Sequence, residues 1–295
     1  MRLFRYLSLA LFAIYLAIFP GSAVVVALDR VPAWGDWMGG AMLLLQGGAV
    51  LLWLIGFYGR RGALAAAAVF MLAWAVEHLG VASGFPFGRY TYTDMLQPQL
   101  FGVVPLAIGC AWIMVSIGAW QMATADYRRL ATGGRGDSST VGGRWSAIVA
   151  ATLVLLLDLQ IETVATRINR YWVWIDGGPY YGVPTANFVA WWLVGLVMAL
   201  VVSRILTADD GRRAIDVRRS GTTLVLRSTL YALRFIPAYF YLLSTVMFTV
   251  VNLARGYTIA GLVGVAVLLG VAIAILEPLS RPRGVARPLQ GTQTE

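Results

Sequence analysis

The sequence predicts an all-α, polytopic bundle of about eight transmembrane helices with two aromatic-rich loops on one side. Hydrophobic residues make up 59% of the 295-residue chain, and the mean hydropathy is +0.73. Charged residues make up 13%, about half of the ~25% that is usual for a soluble domain. Apolar runs of about 18 residues or more recur along the chain, and each is long enough to cross a bilayer as a helix.

The predicted spans cover most of the chain and leave short connections. They run over residues 5–28, 38–58, 62–83, 103–123, 146–167, 187–206, 223–250 and 258–277. The basic start of the first span is typical of a signal peptide, but its apolar run exceeds the usual core of about 7–15 residues and favours an uncleaved helix. We expect one integral membrane domain over residues 1–295, with a flexible tail at 281–295.

The basic residues, all 23 of them arginine, predict the orientation of the chain. With the N-terminus inside, sixteen arginines lie in inside segments and five in outside connections. This positive-inside bias predicts a multi-pass protein of the cell membrane with both termini in the cytoplasm. The net charge of +9 does not indicate a nucleic-acid partner, because no basic stripe is interleaved with aromatic residues.

Several kinds of site are excluded by composition. One cysteine, Cys110, and one histidine, His78, provide neither a disulfide framework nor a cluster of metal ligands. The chain has no GxGxxG after a strand, no CxxC and no GxSxG. The sequence therefore predicts no metal and no cofactor.

The connections differ in kind. The inside segments 132–144 and 207–220 are rich in Gly or Arg and are typical of solvated linkers. The outside segments 84–105 and 168–184 are rich in aromatic residues, Gly and Pro. Two interpretations of these outside loops stay open, an interfacial aromatic belt and a shaped lid or pocket rim built from defined turns.

A weak internal repeat links the two outside loops. Glu77 stands twelve residues before Arg89, and Asp158 stands twelve residues before Arg170. Each arginine is followed by a tyrosine, and each loop then reaches GVVP or GVP and re-enters the membrane with tryptophans, Trp112 in one case and the pair 191–192 in the other. The pattern predicts two parallel helix–loop–helix repeats about an axis normal to the membrane.

Charged side chains at membrane depth are functional candidates, because each costs at least ~2.5 kcal/mol to insert. Glu77, Asp158 and Glu162 fall at similar depth near the outside loops, and the last two share a helical face. His78 lies about 100° from Glu77 around the helix, so a hydrogen-bonded core position is its simpler role. The remaining ionisable groups have structural interpretations: a snorkelling Arg227, an Arg234 that pairs with a buried carboxylate or with carbonyls, and a Glu277 at a helix end. The pair Asp209 and Asp210 lacks the repeated acidic spacing of a magnesium–diphosphate site.

Carboxyl groups near an aromatic wall suit acid chemistry on an alkene. Apolar surroundings favour the neutral form of a carboxyl group, which can then protonate an electron-rich double bond. Aromatic faces stabilise the resulting cation, and a neighbouring carboxylate can orient a water molecule toward it. This arrangement indicates a hydration site.

Three segments carry a resemblance to a known family. "EHLGVASGFPFGRYTYT", "FGVVPLAIGCAW" and "YWVWIDGGPYYGVPTANFVAWW" resemble the CruF-type carotenoid hydratases, over roughly residues 70–206. The resemblance implies an enzyme, a hydro-lyase that adds water across the terminal isopropylidene double bond of an acyclic carotenoid end without a redox cofactor. It implies a lycopene-, γ-carotene- or bacterioruberin-precursor-like substrate, contact with membrane lipid, and a place beside other carotenoid-pathway enzymes.

Specific roles follow from combining the physical pattern with the resemblance. Glu77 and Asp158 are expected to be the acid and the water-orienting group, in either order, with Glu162 sharing their proton. Asn187 would hold the water, and Arg89 and Arg170 would order the loops or pair with a carboxylate. The other predicted substrate-binding residues are His78, Tyr90, Trp172, Trp174, Tyr180 and Tyr181. The alternatives are a transporter, a different isoprenoid enzyme such as a membrane lycopene cyclase, and a non-catalytic carotenoid-binding protein.

Overall fold

The computed structural model describes residues 1–124, 144–206 and 233–280. Eight helices account for most of these residues and confirm the all-α, polytopic prediction. They are α1 (Arg2–Ala27), α2 (Met38–Tyr58), α3 (Arg60–Ser83), α4 (Leu106–Ala123), α5 (Arg144–Thr163), α6 (Thr185–Leu206), α7 (Ile236–Ala254) and α8 (Thr258–Ser280).

Seven of the helices in the described residues are long and apolar enough to cross a membrane, so the chain is a multi-pass membrane protein. The eighth is α8, whose apolar stretch, Thr258–Ala274, is shorter. The predicted boundaries agree to within a few residues except for the seventh span, where α7 follows a 3₁₀ turn at Leu233–Phe235 and continues to Ala254. Gly256, with φ of +80°, then turns the chain into α8.

Some predictions fall outside the described residues. These are the linkers 132–143 and 207–220, the start of the seventh span at 223–232, the tail 281–295, Asp209, Asp210, Arg227 and the side chain of Glu277. Arg234 is described, and its backbone carbonyl accepts a hydrogen bond from the Gln121 amide. No carboxylate of the described residues forms an ion pair with its guanidinium, so the expected charge pair is absent there.

Helix α4 forms the centre of the bundle. Almost all of its side chains are buried, and it packs against α2, α3, α5, α6 and α7. Two glycines permit this close packing, since a Cβ at Gly47 would lie 2.4 Å from the Cβ of Cys110, and one at Gly118 would lie 2.8 Å from the carbonyl oxygen of Pro237. Small residues at helix crossings are the usual means of close approach in membranes.

The two aromatic loops lie at the same end of the bundle and are joined by backbone hydrogen bonds. Strand β1 (Tyr90–Tyr92) pairs antiparallel with β4 (Trp172–Trp174), and the short strands β2 (Gln99–Leu100) and β3 (Val104–Pro105) pair with each other. We call the β1–β4 pair the loop ribbon. In its register, Tyr90 lies opposite Trp174 and Tyr92 lies opposite Trp172.

An ion pair fastens the loop ribbon at its edge. The backbone N–H and the guanidinium of Arg89 donate three hydrogen bonds of 2.7–2.9 Å to the Asp176 carboxylate. These hydrogen bonds hold the pKa of Asp176 below its usual value. Arg89 thus orders the loops by pairing with a carboxylate.

Candidate active site

A cavity of about 770 Å³ lies under the loop ribbon, between the helices. Its volume is within the ~300–1,000 Å³ range of small-molecule sites. Glu77 of α3, Glu162 of α5 and Asn187 of α6 line it, together with the aromatic side chains of Tyr90, Tyr92, Trp112, Trp172, Trp174 and Trp191. The cavity is therefore an aromatic chamber that contains two carboxylates.

Glu77 is buried and accepts hydrogen bonds from three aromatic donors. The hydroxyls of Tyr90 and Tyr92 donate to its Oε2 at 2.5 and 2.8 Å, and Nε1 of Trp112 donates to its Oε1 at 2.9 Å. Burial and the nearby Glu77 carboxylate raise the pKa of both tyrosines far above the usual value. The phenols therefore stay protonated and keep donating to the carboxylate.

Local packing brings Tyr90 to this carboxylate. Gly80 lies one turn after Glu77, and a Cβ on it would come within 2.9 Å of the Tyr90 hydroxyl and 2.8 Å of the Phe87 ring. Because side chains alternate along a strand, Tyr90 and Tyr92 point to the same face of β1 while Thr91 points to the other. The strand thus places both phenol groups within hydrogen-bonding distance of the Glu77 carboxylate.

Glu162 has a matching environment built from β4. The indoles of Trp172 and Trp174 donate to its Oε2 at 3.3 and 2.9 Å, and the Asn187 amide donates to its Oε1 at 3.0 Å. A π-helical turn at Val164–Ile168 follows this residue on the way to β4. Glu77 and Glu162 are therefore each held by the strand of the loop that follows them.

Asp158 lies behind this pair, is fully buried and does not line the cavity. The Asn187 amide donates to its Oδ2 at 3.1 Å while also donating to Glu162, and its Oδ1 has no hydrogen-bond partner in the described residues. One amide thus bridges two carboxyl groups. No arginine of the described residues forms an ion pair with Glu77, Asp158 or Glu162.

This geometry changes the correspondence suggested by the internal repeat. The spacing matched Glu77 with Asp158, yet Glu162 holds the structural position equivalent to Glu77, since each accepts two hydrogen bonds from its own strand. The π-helical turn accounts for part of the offset, because it changes the number of residues between the carboxylate and the strand. In the structural repeat, Glu77 therefore corresponds to Glu162, which lies four residues after the Asp158 that the sequence spacing had matched to it.

Five residues expected to bind substrate lie outside the cavity lining, namely His78, Arg89, Arg170, Tyr180 and Tyr181. His78 stacks on Trp74 with ring centroids 5.2 Å apart, and Arg170 is exposed and has its backbone carbonyl bonded to the Thr93 hydroxyl at 2.7 Å. The Tyr180 hydroxyl donates to the carbonyl of Leu159, and the backbone N–H of Ile259 donates to the hydroxyl of Tyr181. Asn187 lines the cavity, but its amide is occupied by the two carboxyl groups.

Other cavity residues were absent from the predicted site. Tyr92 and Trp112 bond Glu77 directly, and Trp191 stacks on Trp112 at a centroid distance of 4.0 Å. Strand alternation could have indicated Tyr92 once Tyr90 was chosen, and the repeated tryptophan at re-entry could have indicated Trp112 and Trp191. Polar residues from three other helices also line the cavity, namely Tyr15, Gln46 and Ser244, and no motif in the sequence indicated them.

The described residues contain no group of three or more His, Cys, Asp or Glu side chains placed to hold a metal ion. The site consists instead of buried carboxyl groups, neutral hydrogen-bond donors and aromatic faces. Such a set can transfer a proton to an apolar ligand and stabilise a cation formed from it.

Comparison with known proteins relates this architecture to carotenoid metabolism. A bisanhydrobacterioruberin hydratase of Haloarcula japonica is 30% identical over 142 residues, which are 48% of this chain and 45% of that relative. The match thus spans less than half the length of either protein. No solved structure matches the chain.

The model of a protein family described as "Carotenoid biosynthesis protein" matches residues 38–272. This match covers far more of the chain than the segment 70–206 that carries the sequence motifs, and it includes every helix that lines the cavity except α1. Together with the hydratase relative, it confirms the resemblance to the CruF-type group. The chain belongs to the carotenoid biosynthesis protein family.

Proposed function

We propose that the protein is a carotenoid hydratase that adds water across the terminal isopropylidene double bond of an acyclic carotenoid end. The observation that carries this proposal is the pair of buried carboxylates, Glu77 and Glu162, in an aromatic cavity. The hydratase name of the relative supports the same reaction. The product is a tertiary alcohol, and the reaction needs no change of oxidation state.

The proton donor in this proposal is the pair of Asp158 and Glu162. The two carboxyl groups share one amide donor and have no cationic partner in the described residues. The free energy of such a buried pair is lowest when one proton is shared between them. Only Glu162 of this pair lines the cavity, so it would deliver the proton and Asp158 would act as a positioning residue behind it. Glu77, which accepts three hydrogen bonds from neutral donors, would remain a carboxylate facing the cation.

The reaction proceeds in two steps in this scheme. The carboxyl O–H transfers its proton to the less substituted alkene carbon, and the alkene π electrons form the new C–H bond. The tertiary cation that remains is stabilised by Glu77 and by the faces of Trp112, Trp172 and Trp191. A water oxygen then forms the C–O bond, and the proton that it loses restores the carboxyl group.

The cellular setting is part of the proposal. The excess of arginine in alternate connections supports a cell-membrane location with cytoplasmic termini, which puts the loop ribbon and the carboxylates toward the outer side. A carotenoid end within the bilayer would meet the cavity there. The substrate would be a lycopene-, γ-carotene- or bacterioruberin-precursor-like carotenoid, handled together with other enzymes of the pathway.

Expression in lycopene-accumulating cells with ¹⁸O-labelled water tests the reaction. We expect a pigment heavier by one water that carries the label, as read by mass spectrometry. An oxygen atom without label would indicate oxygenation, an unchanged mass with a new ring would indicate a cyclase, and an unchanged pigment would indicate a binding protein. Any of these three results rejects hydration.

Variants test the residue assignments in the same cells. At normal protein levels, Glu77→Gln, Asp158→Asn and Glu162→Gln should each lower the hydrated product at least tenfold. Asp94→Asn, which changes an exposed carboxylate on the same loop, is the matched control and should leave the yield unchanged. Wild-type yields from both Asp158→Asn and Glu162→Gln would show that the acid group lies elsewhere, and a wild-type yield from Glu77→Gln would show that this carboxylate does not stabilise the cation.

A further inference from the structure

A second polar group lies in the same cavity, on helices that do not carry the carboxylates. Tyr15 of α1, Gln46 of α2 and Ser244 of α7 line the cavity and are each at most 5% exposed. The Gln46 amide donates to the Ser244 hydroxyl at 3.4 Å. We call these three residues the polar trio.

The Tyr15 hydroxyl is the unusual member of the polar trio. It faces the side chains of Gln46 and Ser244, but it has no hydrogen-bond partner of good geometry in the described residues. A buried hydroxyl without a partner costs about 1–3 kcal/mol, so such a group indicates a missing ligand. The lining residues beside Gln46 and Ser244 in the sequence include the apolar Met42, Leu43 and Met247.

The polar trio lies deeper in the bundle than the carboxylates. Counted at 1.5 Å per residue from the loop end of each helix, Glu77 is about 9 Å deep, Gln46 about 12 Å, Ser244 about 15 Å and Tyr15 about 18 Å. The polar trio is therefore offset from Glu77 by roughly 3–9 Å along the helix axes. A separate position for the water suits hydration, because the proton and the water oxygen add to different carbons of the alkene.

We propose that the polar trio binds the water molecule that attacks the carotenoid cation, an inference that rests on the proposed hydratase function. A buried water typically makes about three hydrogen bonds, and the trio supplies a phenol, an amide and an aliphatic hydroxyl for them. Asn187, the residue first expected to hold this water, donates its amide to Asp158 and Glu162 instead. The water oxygen bonds to the tertiary carbon, and its released proton goes to the carboxylate that gave up the first one.

Proton transfer and water capture are separable in D₂O, and this separation provides the test. Wild type, Tyr15→Phe and Ser244→Ala are prepared as membranes in D₂O buffer and supplied with preformed lycopene, and the pigments are analysed by mass spectrometry. We expect both variants to lower the alcohol at least tenfold while the unhydrated carotenoid, including its double-bond isomers, gains deuterium. A cation that finds no water loses a proton again, so deuterium enters the alkene without addition of oxygen.

The comparison variants make the result decisive. Tyr6→Phe changes an exposed tyrosine on the same helix and should behave as wild type, whereas Glu77→Gln should lose alcohol and deuterium together. Unchanged alcohol in Tyr15→Phe and Ser244→Ala, or parallel loss of alcohol and deuterium at normal protein levels, overturns the water site. Absence of alcohol in wild type would overturn the hydratase function itself, which is a different result.

Discussion

In the proposed mechanism, Glu77 keeps a negative charge in this cavity without a positive partner. Its carboxylate accepts hydrogen bonds from two phenols and one indole, all of them neutral. A guanidinium in their place would cancel the charge, whereas neutral dipoles stabilise it and leave its field available to a cation in the cavity. Hydrogen bonds to a charged group contribute about 1.5–3 kcal/mol each, so each of the three donors should have a measurable effect.

Tyr92→Phe tests one of these donors with the least change of shape. The ring stays and only the hydroxyl at 2.8 Å from Glu77 is lost, so we expect the rate of hydrated-product formation to fall about 10–100-fold, the equivalent of ~1.5–3 kcal/mol. The measurement is product formation per amount of purified protein in membranes supplied with acyclic carotenoid.

Tyr6→Phe is the matched control for this variant, because Tyr6 is exposed and lies far from the carboxylates on the first helix. A rate within twofold of wild type for Tyr92→Phe would mean that its hydroxyl does not support the charge of Glu77.

The loop ribbon is the element that converts two irregular loops into parts of one site. Strand pairing sets Tyr90 opposite Trp174, so the donors to Glu77 and to Glu162 belong to one hydrogen-bonded unit. Arg89 and Asp176 fasten its edge at the surface. The glycine at position 80 provides the space in which the ribbon docks on α3.

Gly80→Ala tests this docking. Its new methyl group would lie 2.8–2.9 Å from Phe87 and the Tyr90 hydroxyl, so we expect Tyr90 to move away from Glu77 and the yield of hydrated product to fall about tenfold. Small displacements of a catalytic donor are known to have effects of this size. Yield in cells and thermal stability in detergent should both be measured.

Gly270→Ala provides the comparison, since a Cβ there meets no atom within 4 Å on α8. If Gly80→Ala matched Gly270→Ala in yield, the close contact with Tyr90 would have no functional role.

The helices could be predicted from the sequence because hydropathy and length decide a membrane span locally. The carboxylates were predictable for a related reason, since Glu77 and Glu162 are expensive in an apolar span. Tyr15, Gln46 and Ser244 are neutral, occur in three distant helices, and carry no local sign that they share one cavity. These three residues come together because the helices pack around α4, and no sequence motif indicates that packing.

The loops illustrate the same limit. Aromatic, Gly and Pro content left a belt and a lid equally open, and the structure contains both exposed and buried aromatic side chains in these loops. Phe85 and Phe101 are exposed, whereas Tyr90 and Trp172 are buried against the carboxylates. Pairing between residues 80–84 positions apart decides which aromatic side chains turn inward, and periodicity within one loop does not contain that information.

At the scale of the whole molecule, α1 and α7 form one side of the cavity. In their deeper halves, Phe12 and Tyr15 of α1 form edge contacts with Phe240 of α7 at centroid distances of 5.1 and 5.0 Å. Beyond Tyr15, the cavity lies between the two helices and is lined by Ala17 and Gly21, which are also exposed on the surface. The cavity therefore opens sideways, along the part of α1 that faces the lipid.

This opening matches what a long polyene requires. The cavity lining extends from Tyr15 to Val26 along α1, about 17 Å at 1.5 Å per residue, whereas a bilayer-spanning polyene is about 30 Å long. With one end at the carboxylates, the remainder of such a chain would leave through the gap beside Ala17 and Gly21. A substrate that resides in the bilayer could then enter without crossing the polar face of the membrane.

Filling the gap should therefore stop turnover of long substrates while leaving the carboxylates intact. Gly21→Trp places a large side chain where a Cβ meets no atom within 4 Å, so folding should be unaffected while the hydrated product falls at least tenfold. Val24→Trp, three residues further along α1, is the matched control, because Val24 is 55% exposed and does not line the cavity. Product yields at equal protein levels give the measurement. Wild-type yields from both variants would show that the polyene enters by another route. A loss of product in both variants would point to a defect in α1 itself.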